Sequence, residues 1–154
     1  MNRDQRLVIT IAVLASFVSF LDGTIVNVAL PSLSRDLGAS TRELQWIVDG
    51  YLLVFTGLLL AAGGLGDRFG RRRSLIVGLV AFAATSAYAG SAGTAGELIF
   101  GRALMGIGAA FIFPATLAII ANVFADPKER AAAIGIWSAT SGVAVAAGPI
   151  IGGW

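Results

Sequence analysis

Between Ala103 and Ala125 the chain reads ALMGIGAAFIFPATLAIIANVFA, 23 residues without one charge. At ~1.5 Å per residue such a run makes about 35 Å of helix, enough to cross a hydrocarbon core of ~30 Å. Working outward, the same pattern recurs. Ser74 to Gly96 is 23 uncharged residues and Ala131 to Trp154 is 24. Two further spans hold a single acid each: Leu7 to Leu30 contains Asp22, and Leu44 to Leu65 contains Asp49. Water-soluble core helices are rarely this long, and five in succession would lack a polar face. The expectation is an all-α membrane protein with helices over about 7–30, 44–65, 74–96, 98–125 and 131–154, forming one unit over 1–154.

Composition agrees. Of 154 residues, 56% are hydrophobic and 13% charged, the latter about half of the share usual in a soluble domain. There is no His and no Cys. Disulfides, Cys/His zinc sites, thiolate nucleophiles and Ser-His triads are therefore excluded, and neither an enzyme nor a metal or cofactor site is expected. The one lysine, Lys128, follows Pro127 rather than a glycine-rich loop, which excludes a Walker phosphate loop. Met1 to Arg6 followed by apolar Leu7 to Leu21 has the shape of a signal peptide, but apolar character resumes past Asp22 and four more spans follow.

Orientation follows from the basic residues of the connections. Arg3, Arg6, Arg68, Arg71, Arg72, Arg73, Lys128 and Arg130 fall on one side; Arg35, Arg42 and Arg102 fall on the other. Eight against three places the N-terminus in the cytoplasm. Arg71-Arg72-Arg73 then reads as a topology anchor, not a nucleic-acid site. Five spans leave the C-terminus outside, with no polar flank after the last. The expectation is a piece of a longer protein.

Asp22, Asp49 and Arg102 lie within or near the membrane, where a charge costs roughly 2.5–3.5 kcal/mol at mid-bilayer. Asp22 is ~22 Å from the inner end of helix 1, Asp49 ~8 Å from the outer end of helix 2, and Arg102 ~6 Å from the outer end of helix 4. All three fall in the outer half and could share a water-filled cavity. Asp49 and Arg102 could instead snorkel to headgroups. Desolvation favours the neutral form of a carboxyl group and a nearby guanidinium favours the charged form. A cavity that moved an acid relative to an arginine would couple proton binding to shape.

Small residues repeat at spacing four in helix 5: Ala144, Gly148 and Gly152 on one stripe, Ala131, Gly135 and Ala139 on another. Such stripes let helix backbones approach closely. Pro149 removes a backbone donor and is expected to bend the helix. Helix 4 carries Gly106, Gly108, Ala109 and Ala110, then Pro114. Gly63 to Arg73 reads as a very tight, glycine-rich loop. Asp67, at the end of helix 2, opposes the helix dipole and needs a partner.

These segments resemble the major facilitator superfamily of transporters over essentially the whole chain. The signature loop G-x-L-a-D-R-x-G-R-[RK]-x-x-L matches at Gly63, Leu65, Asp67, Arg68, Gly70, Arg71, Arg72 and Leu75. The run from Leu21 to Pro31 resembles the helix 1 motif of the fourteen-helix drug:proton antiporter branch. Gly148, Pro149, Gly152 and Gly153 resemble the antiporter motif of helix 5, with Ala144 in place of its first glycine. Leu98, Arg102, Gly106 and Gly108 resemble the helix 4 motif, with Met105 where Gln is usual. Asp126 to Arg130, including Glu129, resembles the short loop that docks on the signature loop.

The resemblance implies the first five helices of an N-terminal six-helix bundle, truncated after helix 5 and inactive alone. It implies a multi-pass carrier of the cell membrane that exports drugs or metabolites by alternating access, in exchange for protons. Its partners would be the lipid bilayer, protons, a small, cationic or lipophilic substrate and the missing C-terminal half. By the same resemblance Asp22 and Arg102 would couple protons, Asp49 would favour cationic substrates, and the signature loop would gate. A proton-coupled uptake carrier of this fold would lack the helix 5 motif. A non-transporting assembly or sensor protein would not need Asp22 and Arg102 together.

Overall fold

A computed structural model describes residues 2–152. Among them are five helices and no strand: α1 (Arg3–Asp36), α2 (Thr41–Phe69), α3 (Arg71–Gly90), α4 (Ala95–Val123) and α5 (Pro127–Gly152). All five are long and apolar enough to cross a membrane.

Capping chemistry, rather than the edge of the apolar run, sets the helix ends. Asn2 and Gln5 form a reciprocal capping box at the start of α1, and Ser40 and Glu43 form another at the start of α2. Thr94 accepts from the Glu97 amide to start α4. Asp126 accepts from the Lys128 and Glu129 amides to start α5. Four helices therefore begin earlier than their uncharged cores, taking charged residues into the first turn. The expected third span over 74–96 is corrected. The helix begins at Arg71 and ends at Gly90, because residues 91–94 form the turn that leads into the Thr94 cap.

The tight loop expected over Gly63 to Arg73 is also corrected. Helix α2 runs on through Gly63, Asp67 and Arg68 to Phe69, and α3 starts at Arg71. One residue, Gly70 at φ +103°, makes the turn between them. That backbone region is costly for any residue with a Cβ, so the turn needs this glycine. Pro31, Pro114 and Pro149 lie inside helices that continue past them.

Helix α4 is the centre of the bundle. Half of its most apolar stretch is buried, against 17–28% in the other helices. It packs against α2 and α3, and less extensively against α1; α5 lies mainly on α1. Glycines permit these contacts. A Cβ at Gly106 would sit 2.7 Å from the Tyr51 carbonyl oxygen of α2, and one at Gly108 2.7 Å from the Phe82 amide of α3. Two apolar clusters result. One joins α2, α3 and α4 around Ile47, Tyr51, Phe82, Met105 and Ile112. The other, near the start of α1, joins Ile9 and Ala12 to Ile120, Phe124 and Ala133. Large apolar side chains cover the outside, with Leu60 89% exposed, as suits a chain whose outer surface meets lipid or further helices.

Candidate functional site

Arg102 is buried on α4, with only 3% of its side chain exposed. Snorkelling is thereby excluded for it. A guanidinium in such a place needs a counter-charge and acceptors for its donors. Both are supplied by other helices. Its Nη1 forms an ion pair with Asp22 of α1, and its Nε donates to the Ile47 carbonyl of α2 at 3.2 Å. The guanidinium carbon lies 4.4 Å from the centre of the Tyr51 ring, a cation–π contact. Met105, one turn along α4, brings its sulfur to 3.8 Å from Nη1. The position where a polar residue was looked for thus offers a soft, weak acceptor instead.

Asp22 and Arg102 line a cavity of about 340 Å³ between α1, α2, α3 and α4. Its walls include Val26, Leu33, Ile47 and Leu98, and Asp36 also lines it. Of the three residues expected to share a cavity, Asp22 and Arg102 do. Asp49 does not join them: it lies exposed on α2 and is absent from the cavity wall. Periodicity explains this, since Asp49 is offset from the buried Ile47, Gly50 and Tyr51 that face α4.

At the basic end of the bundle a second pair forms. Arg71 donates from Nε to Asp67 at 3.1 Å, and its Nη2 lies 3.0 Å from the same carboxylate oxygen. Its Nη1 donates to the Ala118 carbonyl of α4 at 2.9 Å. Asp67 thus finds the arginine partner its position on the helix dipole requires. A small cavity, lined by Gly63, Gly66, Asp67, Arg71, Pro114 and Ala118, lies at this junction. Arg68 stacks over Phe69, and Arg72 is exposed beside a groove between α1 and α3.

Glu129 and Arg130 spend their hydrogen bonds elsewhere than on this turn. Glu129 accepts from Gln5 of α1, while Arg130 donates to the carbonyls of Phe124 and Ala125. It is Arg71, reaching to Ala118, that ties the α2–α3 turn to α4.

The two small-residue stripes of α5 separate. Ala144 and Gly148 are buried against α1, where a Cβ on Gly148 would collide with the Thr24 side chain. Thr24 in turn donates to the Ala144 carbonyl at 3.2 Å. Gly152 faces Ile25, and Pro149 is exposed. Gly153 lies outside the described residues. Ala131, Gly135 and Ala139 are exposed, so this second stripe makes no close packing among the described residues.

Sequence reasoning missed a polar junction of α1, α4 and α5. The Trp137 indole donates to Ser16 Oγ at 2.8 Å, and Ser16 Oγ lies 3.3 Å from Thr116 Oγ1. Phe20, Phe113 and Trp137 pack edge-to-face around it. The available signal was the spacing of Ser16, Ser19 and Asp22; nothing in the sequence pointed to Trp137.

Comparison with known proteins agrees with this architecture. The family model described as Major Facilitator Superfamily matches residues 12–154. The chain is 46% identical over 139 residues to "Puromycin resistance protein pur8" of Streptomyces alboniger, covering 90% of this chain and 28% of that protein. It is 46% identical over 149 residues to "Methyl viologen resistance protein SmvA" of Salmonella typhimurium, covering 97% and 30%. It is 43% identical over 150 residues to "Multidrug efflux pump LfrA" of Mycolicibacterium smegmatis, covering 96% and 30%. The chain spans under a third of the length of these relatives. With its five membrane-length helices and a family match over nearly its whole length, the chain belongs to the Major Facilitator Superfamily.

Proposed function

We propose that this bundle is the N-terminal portion of a proton-coupled exporter of drugs or related small molecules. The observation that supports this reading best is the Asp22–Arg102 pair on the wall of a cavity. A carboxylate held by a buried guanidinium and open to a cavity can exchange a proton for a change of partner. Protonation removes the attraction for Arg102, so the two side chains can part. The names of the relatives, which speak of puromycin, methyl viologen and multidrug efflux, favour a small-molecule cargo.

In this reading Asp22 carries the proton and Arg102 holds it in register. The Asp67–Arg71 turn, with Gly63, Arg68, Gly70 and Arg72, moves as a unit when the carrier changes its open side. The packed Gly148 stripe keeps α5 on α1, with Pro149, Gly152 and Gly153 completing that motif. Glu129 and Arg130 brace the start of α5. The protein sits in the cell membrane with Arg3, Arg6 and the α2–α3 turn in the cytoplasm. Further helices complete the substrate path, so residues 1–154 alone do not transport.

The test is proton release on addition of methyl viologen to the purified carrier that contains this bundle. Asp22→Asn mimics the protonated carboxyl and is expected to abolish that release, and uphill export with it, while binding persists. Normal release from Asp22→Asn would overturn the assignment.

A further inference from the structure

Helices α1 and α3 both lean on α4 but scarcely touch each other. The space left between them is a groove of about 530 Å³ at the basic end of the bundle. Its walls are aliphatic, with Leu7 and Ile11 on α1 and Leu75, Ile76 and Leu79 on α3. Leu7, Ile11 and Ile76 are 60%, 45% and 50% exposed, so no described residue covers them. On α3 the lining begins at Arg72, which is exposed. Arg71, Arg72 and Arg73 precede the uncharged run that opens at Ser74, which sets the Arg72 guanidinium at the level of the headgroups. From Arg72 to Leu79 the groove runs about 10 Å, within one leaflet's half of a ~30 Å hydrocarbon core.

Positive charge at this end is left over. Eight basic residues stand there with four acids. Asp67 is held by Arg71, Asp126 caps α5, and Glu129 accepts from Gln5. The remaining acid, Asp4, is exposed in the first turn of α1. Among the described residues neither ion pair includes Arg72, nor Arg3, Arg6 or Arg73, all of them exposed.

These charges select the occupant. A second copy of the chain seated face to face would set arginines against arginines. An apolar helix end would enclose a guanidinium without a counter-charge, which is costly. A phosphodiester supplies the missing charge, and its oxygens match the planar fork of an arginine. The chain that hangs from it is apolar, as the walls are.

We propose that the α1–α3 groove is a binding site for an anionic phospholipid, with the phosphodiester on Arg72 and one acyl chain along Leu75, Ile76 and Leu79, opposite Leu7 and Ile11. Arg3, Arg6 and Arg73 strengthen the field around the headgroup without enclosing it. The bound lipid ties α1, which carries Asp22, to α3, which follows the Asp67–Arg71 turn. Neither the direction of transport nor proton coupling enters this assignment.

The experiment uses the 154-residue chain with Trp46→Phe, Trp137→Phe and Trp154→Phe, and one new indole as reporter. Ile76→Trp places it in the groove. Leu65→Trp places it on α2, exposed at similar depth but away from the groove. Quenching is compared in phosphatidylcholine vesicles that contain brominated phosphatidylglycerol or brominated phosphatidylcholine. The expected result is a preference for phosphatidylglycerol at Ile76→Trp of about fivefold, the worth of one arginine at an anionic surface. Arg72→Gln should abolish the preference and Arg72→Lys should keep most of it. An equal preference at Leu65→Trp marks a general attraction to the basic end and overturns the site. Quenching at Ile76→Trp by neither lipid shows that protein covers the groove, and overturns it too. Native mass spectrometry of the chain with its own tryptophans supplies a second reading that needs no reporter. Phosphatidylglycerol should be retained over phosphatidylcholine, and less so in Arg72→Gln; retention indifferent to Arg72→Gln overturns the assignment.

Discussion

Among the described residues, two carboxylate–arginine pairs stand at different levels of this bundle. Asp67 and Arg71 are four residues apart; the aspartate is exposed, at 64%, and the arginine half-buried, at 32%. Asp22 and Arg102 are 80 residues apart, and the arginine is 3% exposed. The chemistry of the partners is the same, but water decides what each pair is worth. An exposed pair of local origin contributes about 0–1 kcal/mol and is screened by salt. A buried pair contributes little net, yet breaking it from one side leaves a charge without solvent or partner, at about 3–5 kcal/mol. The first pair can trim a turn; the second constrains where α1 sits against α4.

The largest effect should therefore come from stranding Arg102. Asp22→Leu leaves a guanidinium among Ile47, Tyr51 and Met105 with no counter-charge, and should cost about 3–5 kcal/mol. Arg102→Leu should cost less. The Asp22 side chain is 18% exposed on the cavity wall, where water can take the place of the guanidinium. Denaturant unfolding of both variants in one detergent measures the difference. If Arg102→Leu is the more damaging, the asymmetry of burial is not what governs this pair.

Asp67→Asn should be much milder, within about 1 kcal/mol, and the loss should shrink as salt is raised. Arg71→Ala should exceed it, because Arg71 also donates to the Ala118 carbonyl and holds the turn to α4. In a carrier that contains this bundle, Asp67→Asn should slow exchange while substrate affinity stays within a few-fold (order of magnitude for a surface pair). A large loss of affinity with normal turnover would place Asp67 in the substrate path instead of the turn. Unfolding midpoints at low and high salt, with exchange rates, provide the comparison.

The contrast also explains what could be read from the residues alone. Long uncharged runs report membrane crossing directly, because hydrocarbon penalises charge, so the five helices were legible. The signature residues from Gly63 to Leu75 identified the family, yet their glycines suggested a loop where all but Gly70 are helical. Gly66 serves close packing, against Ser74, and single-residue conformational preference cannot distinguish that use. Depth along each helix placed Asp22 and Arg102 at one level, which was enough to suggest their meeting. Depth says nothing about azimuth, however, so Asp49 was grouped with them although it faces away. The Ser16–Trp137 contact depends on how α5 lies across α1, which no local pattern encodes.

Asp49 supplies the finest test, because it shares the residue type and approximate depth of Asp22 but not its surroundings. It is exposed, and among the described residues it joins no ion pair. Asp49→Asn should therefore move stability by no more than about 0.5 kcal/mol, as for an ordinary surface change. Its carboxylate would still act on a passing cation through Coulomb attraction, which needs no buried partner. In the carrier, Asp49→Asn should weaken export of methyl viologen relative to a neutral drug while proton release per molecule is retained. Asp22→Asn should do the reverse, removing proton release for both. Export assays with a cationic and a neutral probe, run beside proton release, separate the two acids. If Asp49→Asn abolishes proton release and Asp22→Asn alters only the preference for cations, burial beside an arginine is not what makes an acid the proton carrier here.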